Sequence, residues 1–146
     1  MKLHVTLVPV GRLGFLIPEL LQYLQKSEHW TMGRANIDDI LRFLLTGQMH
    51  LWAVYDQETK QIYGYNITEV KEYPQCKMLV VQYAAGEPNH MQYVENEMHH
   101  VLESFAKDAG CVGIEAFGRP GWEPHLKKHG FTVKTVVYEK FFGEQP

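Results

Sequence analysis

The sequence predicts a single mixed α/β domain, and two patterns support that fold class. From Met78 to Phe142, a strand, a helix, a strand, a helix and a final strand follow one another. A strand-helix-strand crossover implies at least one parallel pair of strands. Earlier, the strand-like runs His50–Tyr55 and Gln61–Val70 are joined by a short polar connection and should pair antiparallel. Together these patterns indicate a mixed sheet with helices on both sides.

Length and composition suit one folded domain and exclude several classes of protein. The 146 residues are 45% apolar and 21% charged, which is typical of a globular protein. With 14 basic and 17 acidic side chains, the net charge is −3 and no basic face is evident, so we expect no nucleic-acid partner. No apolar run is long enough to span a membrane. Cys76 and Cys111 fit no disulfide framework, which indicates a cytoplasmic location.

The first half of the chain contains one strand and two helices before the hairpin. Residues Lys2–Val10 alternate polar and apolar side chains and predict a strand. Pro18 suits the first turn of the following helix, in which Leu20, Leu21 and Leu24 recur on one face. Asn36 can cap the next helix, which should stop at Gly47.

The second half begins with a strand at Met78–Tyr83 that should be buried on both faces. A long amphipathic helix follows, with Asn89 as its N-cap and Gly110 just after its end. Its apolar stripe consists of Met91, Val94, Met98, Val101, Leu102, Phe105 and Ala109. The remaining elements are a strand at Cys111–Phe117, a short helix at Trp122–His129 and a final strand or bent pair of strands at Phe131–Phe142.

Two segments could carry chemistry. Between Gln82 and Met91 a strand ends, Ala84-Ala85-Gly86 allows close backbone approach, and a helix N-terminus offers free N–H groups to an anion. The alternative is an ordinary strand-to-helix loop. The second segment joins Gly118-Arg119-Pro120-Gly121-Trp122 to His125 and to Leu126-Lys127-Lys128-His129-Gly130-Phe131. Its alternative role is helix capping and core anchoring.

The element order, the strand Ile114-Glu115-Ala116 and the Gly130-Phe131 ending resemble the GNAT acyltransferase superfamily over nearly the whole chain. The second segment is most similar to small GNAT-like proteins encoded by tailed bacteriophages. The resemblance implies a central mixed, twisted sheet of about six to seven strands flanked by four helices. It also implies acetyl-CoA as cofactor and an amine on a protein or a small molecule as acceptor. Trp30, Met32 and Arg34 would then lie near the acceptor.

The resemblance also implies residue roles. The pantetheine arm of acetyl-CoA would bind the backbone of one splayed strand, and the pyrophosphate would bind the loop and helix start that follow. The matching positions are Val81, Gln82, Tyr83, Gly86, Asn89, His90 and Met91. Glu115 matches the general base of some members, and Lys127 occupies the position of the tyrosine acid. The basic, glycine-rich phosphate motif of the family is absent here, and Glu87 follows Gly86.

Two functions therefore remain open on the sequence. The first is an acetyl-CoA-dependent N-acetyltransferase. The second is a catalytically inactive GNAT-fold protein, such as a phage accessory or virion protein or one that binds a host protein in the host cytoplasm. The oligomeric state is left open.

Several histidines have a spacing that suggests a metal site, but the sequence lacks the other ligands that such a site needs. His99-His100 and the pair His125 and His129 have helical spacing, but no HExxH motif or cysteine ligand accompanies them. Glu95 fits the solvated face of the long helix. We therefore predict no metal.

Overall fold

The computed structural model describes residues 2–31, 33–87, 90–118 and 120–144, without side chains at 26–30, 91 and 120. Within these residues the chain forms five β-strands and four α-helices. The strands are β1 (Leu3–Leu7), β2 (His50–Asp56), β3 (Ile62–Glu72), β4 (Lys77–Gly86) and β5 (Gly113–Ala116). The helices are α1 (Leu13–Trp30), α2 (Ile37–Leu45), α3 (Glu95–Asp108) and α4 (Glu123–Lys128). Short 3₁₀ turns precede α1, α3 and α4.

The strands form one mixed sheet in the order β1-β2-β3-β4-β5. The pairs from β1 to β4 are antiparallel, and β4 pairs with β5 in parallel. Helix α3 connects β4 to β5, because a parallel neighbour can be reached only by a crossover. The predicted fold class is confirmed, with five described strands in place of six to seven.

The predicted strand over Phe131–Phe142 is wrong, since residues 131–142 form neither helix nor strand. A strand needs a paired neighbour and at least one buried face. Here Val133, Val136 and Val137 are exposed, and Tyr138 is 92% exposed, so their apolar pattern meets no core. A described side-chain contact of this segment joins Glu139 to Arg34 at 2.7 Å.

Each face of the sheet carries its own core. On the first face, α1 and α2 pack against the sheet through the buried residues Val8, Leu13, Leu20, Tyr23, Leu24, Ile40, Leu44, Met49, Leu51, Ala53, Ile62, Tyr65 and Ile67. On the second face, α3 packs through Leu3, Val5, Trp52, Val54, Leu79, Val81, Val94, Met98, Leu102 and Ala106. Burying both faces of β2, β3 and β4 is the main source of stability for this sheet.

Helix α1 begins earlier than the sequence predicts. Pro18 lies inside the helix, not in its first turn. The proline has no N–H, so the Gly14 carbonyl lacks its usual helical partner. Leu13, Leu20 and Leu24 are all buried on one side of α1, and this burial offsets the lost bond. Among the described residues, no helix is long and apolar enough to cross a membrane.

Candidate active site

The ladder between β4 and β5 ends before β4 does. The last paired residues are Val81 and Ala116, and the Phe117 N–H donates to the Val81 carbonyl at 3.4 Å. β4 continues to Gly86 and stays paired with β3 along that length. Among the described residues, β5 offers β4 no partner beyond Val81. We call the point after Val81, where the two strands stop pairing, the split; past it, that edge of β4 has no described strand partner.

Just past the split, a β-bulge at Gln82 exchanges the two faces of the sheet to which successive β4 side chains point. Thr68 of β3 pairs with Val81 and Ile67 pairs with Tyr83, which leaves Gln82 as the additional residue. The Val81 side chain packs on the second face, whereas Tyr83 packs on the first. In a regular strand, residues two positions apart share a face. The bulge thus brings the Tyr83 ring to the side of α1 and α2 just after the split.

Glu115 lies on β5, one residue before the split. Its neighbours Ile114 and Ala116 pack on the second face, so strand alternation directs the Glu115 side chain to the first face. Its carboxylate accepts a hydrogen bond from the Tyr73 hydroxyl at 3.0 Å. Partial desolvation and this hydrogen bond raise the pKa of Tyr73, so the phenol remains a hydrogen-bond donor at neutral pH.

A second carboxylate, Glu69 of β3, lies in the same row of the sheet. Glu69 and Glu115 both pair with Val80 of β4, one from each side. Cross-strand partners share a face, so the two acidic side chains lie on the first face, one strand spacing of about 4.8 Å to either side of Val80. Glu69 accepts hydrogen bonds from the amides of Gln48 and Gln82, both at 3.3 Å.

Tyr83 belongs to this polar group as well. Burial raises the pKa of the Tyr83 hydroxyl, and the negative charges of Glu69 and Asp39 raise it further. The sequence assigned Tyr83 only a backbone role, and it gave no role to Glu69 or Tyr73. No local motif marks these residues. The pairing register of β3, β4 and β5 brings them together, and counting cross-strand partners outward from the hairpin is the signal that would have found them.

Lys127, the residue at the predicted acid position, is exposed near the end of α4. Its ammonium lies 3.1 Å from the carboxylate of Glu123, one helical turn earlier. The Lys127 side chain is 64% exposed. An exposed, ion-paired ammonium resembles a solvated surface lysine, and the acid role of Lys127 stays a prediction.

The predicted phosphate loop follows Gly86, the last residue of β4. The carboxylate of Glu87 is occupied, because it accepts a hydrogen bond from the Tyr23 hydroxyl of α1 at 2.7 Å. The His90 ring stacks on Tyr63, with centroids 4.7 Å apart. The predicted binding residue Asn89 lies outside the described residues. Met91 begins a 3₁₀ turn, and its side chain lies outside the described set too.

The N-terminus of α3 differs from the prediction. The helix begins at Glu95, after the buried residue Val94, which has no side chain that can cap it. Glu95 and Glu97 occupy the first turn, where negative charge stabilises a helix but repels a second anion. The Glu97 carboxylate accepts a hydrogen bond from the Val5 N–H at 3.1 Å. Any phosphate contact must therefore come from the segment before α3.

The predicted acceptor side is only partly described. Met32 and the side chain of Trp30 lie outside the described residues, and Arg34 pairs with Glu139. A separate cavity of about 260 Å³ lies between the first strand and the first two helices. It is almost wholly apolar and is lined by Leu7, Val8, Pro9, Val10, Leu13, Leu44, Gly47, Met49, His50 and Leu51. None of the predicted site residues lines that cavity.

Solved structures that are similar to this chain over nearly its whole length include several acetyltransferases. An aminoglycoside acetyltransferase from an uncultured soil metagenomic sample matches 98% of this chain and 100% of its own, with a TM-score of 0.71 and 15% identity. A predicted acetyltransferase with acetyl-CoA from Clostridium acetobutylicum matches 96% of both chains, with a TM-score of 0.69 and 15% identity. Glucosamine-6-phosphate N-acetyltransferase from Arabidopsis thaliana matches 98% of this chain and 100% of its own, with a TM-score of 0.68 and 12% identity.

At these identities the similarity is one of fold, and the chain has the fold of GNAT acetyltransferases. No protein-family model matches the sequence, and no curated protein is detectably similar to it. The similarity to bacteriophage proteins and the cytoplasmic location stay predictions.

Proposed function

We propose that this protein is an acetyl-CoA-dependent N-acetyltransferase that transfers an acetyl group to an amine of a protein or a small molecule. The observation that carries the proposal is the early end of the β4–β5 ladder. Beyond Val81, β4 lacks a described partner on one side, and Glu115 precedes the split by one residue. The carboxylate that we propose as general base thus lies next to a strand edge whose backbone groups have no described strand partner.

The cofactor would bind along this open edge. The Val81 carbonyl already accepts from the Phe117 N–H, so the backbone N–H and C=O groups of Gln82 and Tyr83 would pair with the amides of the pantetheine arm, as an added strand would. Gly86 and His90 would then lie toward the pyrophosphate. Because Glu87 is held by Tyr23 and α3 begins with two glutamates, phosphate binding would rest on backbone N–H groups.

The reaction needs one proton acceptor and one proton donor. Glu115 would take a proton from the acceptor ammonium, and the free amine nitrogen would then attack the thioester carbonyl carbon. The C–N bond forms as the C–S bond breaks, the departing thiolate takes a proton from the acid, and the nitrogen returns its second proton to that acid. The products are an N-acetyl amine, the CoA thiol and protonated Glu115. Tyr73, which hydrogen-bonds Glu115, would act as a positioning residue.

The departing thiolate needs a proton, and we assign it to Tyr83 in preference to Lys127. The Tyr83 hydroxyl is half-buried on the first face just past the split, and its raised pKa keeps it protonated. Lys127 is exposed and paired with Glu123. The acceptor is a cationic amine before it reacts, and the carboxylates of Glu69 and Glu115, which flank Val80 on the same face, would attract it.

The second candidate is a GNAT-fold protein without catalysis, of the phage accessory, virion or host-protein-binding kind. It is favoured by the acidic first turn of α3 and by the exposed apolar side chains of residues 131–142. Under this proposal, a protein partner in the host cytoplasm would cover part of the C-terminal segment.

Calorimetry with acetyl-CoA separates the two candidates. We expect saturable binding at millimolar cofactor or below, and acetylation of at least one compound in a panel of aminoglycosides, amino sugars and peptide N-termini. Glu115→Gln should lower turnover by about 100-fold or more while leaving acetyl-CoA affinity unchanged, as for loss of a general base. Glu58→Gln, a change in the exposed β2–β3 turn, is the matched control. No cofactor binding at millimolar concentration would overturn the catalytic proposal and favour the second candidate.

A further inference from the structure

Three ligand-type side chains meet where the start of α3 approaches the end of α4. Glu95 and His99 lie one turn apart on α3, and His129 directly follows α4. One ligand atom from each of the three residues lies within 4.8 Å of the other two. The sequence separates His129 from the other two by β5 and α4, so the fold alone completes this set.

The carboxylate of Glu95 is the centre of the group. Its Oε1 atom lies 3.3 Å from His129 Nε2 and 3.5 Å from His125 Nδ1. This oxygen is buried, yet no described donor makes a hydrogen bond to it. A buried carboxylate oxygen without a hydrogen bond is costly, because it has lost water and gained no donor. Its lone pairs remain available to a cation.

The two imidazoles that complete the set face each other. The rings of His99 and His129 stack with centroids 3.6 Å apart and planes 14° apart, so they do not hydrogen-bond each other through their edges. Phe131 packs against His99 at 5.8 Å and covers that side of the pair. Burial and the neighbouring His129 lower the pKa of His99, which favours the neutral imidazole that binds metals.

We propose that Glu95, His99 and His129 bind one Zn²⁺ ion, with the fourth coordination position left to water. Two imidazole nitrogens and one carboxylate oxygen form a common three-residue Zn²⁺ ligand set. Stacked rings point their nitrogens in parallel directions, so binding requires one ring to turn out of the stack. Both histidines are only partly buried, which leaves room for that rotation.

The ion would join two parts of the fold that are otherwise weakly connected. The described residues of α4 include no buried side chain. The described side-chain links between this region and α3 include contacts of His125 and His129 with Glu95, and of His129 and Phe131 with His99. A metal bridge would therefore fix α4 and the start of the C-terminal segment on α3, and Zn²⁺ should raise the melting temperature of the protein.

The test uses the full chain without an affinity tag, freed of metal by a chelator and titrated with ZnCl₂ in a calorimeter. We expect saturable one-to-one binding and a higher melting temperature. Co²⁺ at the same site should give the visible absorption bands of a tetrahedral complex. His99→Gln, His129→Gln and Glu95→Gln should each weaken binding by more than about tenfold, since even outer-shell partners account for about 10–100-fold.

His100→Gln is the matched control, because His100 neighbours His99 but is exposed on α3. This variant should bind Zn²⁺ as the unaltered protein does. Circular dichroism of each variant checks that its helix content is unchanged. The proposal is overturned if the protein binds no Zn²⁺, or if the ligand variants and His100→Gln bind with equal affinity. None of these readouts depends on acetyltransferase activity.

Discussion

The residues before Gly110 and those after it differ sharply in packing. In the stretch from Leu3 to Ala106, β2 and β3 have a strand on both sides, β4 has one on both sides as far as Val81, and helices cover both faces. The buried core residues all lie in this stretch. Among the residues from Cys111 to Glu144 whose burial is described, none is buried. β5 pairs with one described neighbour, and the segment after α4 is exposed.

This difference places the buried core, and with it most of the folding free energy, in one part of the chain. The first part, which we call the packed part (Leu3–Ala106), supplies the free energy that holds the fold together. The second, which we call the C-terminal part (Cys111–Glu144), contains the proposed base Glu115 and the proposed metal ligand His129. Truncation of buried apolar side chains in the packed part should therefore cost the most stability, whereas substitutions in the C-terminal part should change stability little.

The largest effect should come from a core truncation in β4. Leu79 is fully buried between β3, β5 and α3, so Leu79→Ala should lower the free energy of unfolding by about 2–5 kcal/mol. Val136→Ala removes apolar atoms from a side chain that is 63% exposed and should change it by less than about 0.5 kcal/mol. Urea denaturation followed by circular dichroism measures both. Equal losses would contradict the contrast between the two parts.

A buried hydrogen bond in the packed part should have the next largest effect. The Trp52 indole N–H donates to the Thr68 hydroxyl at 2.9 Å, and both side chains are buried. Thr68→Val keeps the shape but leaves the indole N–H unsatisfied, which should cost about 1–3 kcal/mol. Thr6→Val changes an exposed hydroxyl on β1 and serves as the control. Urea denaturation measures both variants. Similar midpoints for Thr68→Val and Thr6→Val would show that the Trp52–Thr68 hydrogen bond contributes little.

Periodicity predicted the packed part well, because its elements bury regular stripes. The hairpin of β2 and β3, the parallel β4–β5 crossover and the helix stripe of Met98 and Leu102 all follow from local pattern. The same rule failed at residues 131–142, where valines repeat but have no surface to cover. It also misplaced the start of α3, because burial of Val94 takes precedence over capping.

The candidate site depends on information that a local pattern does not contain. Glu115 could be named from the resemblance, but its partner Tyr73 is brought to it by the pairing of β4 with β5. The reversal of Tyr83 depends on a one-residue bulge, which shifts register without a mark in the sequence. Likewise, the sequence pattern places Glu95 on the solvated face of a helix, and only the tertiary structure shows that His129, just after α4, lies next to it.

Helix capping allows a smaller comparison between the two parts. In the packed part, the Asn36 side chain accepts from the Asp39 N–H at 2.9 Å, and the Asp39 carboxylate accepts from the Asn36 N–H at 3.1 Å. Asn36→Ala should lower the free energy of unfolding by about 1 kcal/mol, whereas Asn36→Ser keeps a cap and should change little. At the start of α4, Trp122 makes no side-chain cap bond. Thermal melts measure both Asn36 variants, and equal midpoints for Asn36→Ala and Asn36→Ser would show that the cap contributes little to stability.

The smallest effect on stability should come from the exposed ion pair of α4, and it bears on the chemistry. Lys127→Met removes the pair with Glu123, and exposed pairs at this helical spacing contribute only about 0.2–0.5 kcal/mol. If Tyr83 protonates the leaving thiolate, this variant and its exposed neighbour Lys128→Met should both keep the unaltered kcat. Tyr83→Phe should lower it. Steady-state acetyl transfer measures all three variants. A large loss of kcat in Lys127→Met alone, with its melting temperature unchanged, would contradict the assignment to Tyr83 and favour Lys127 as the acid.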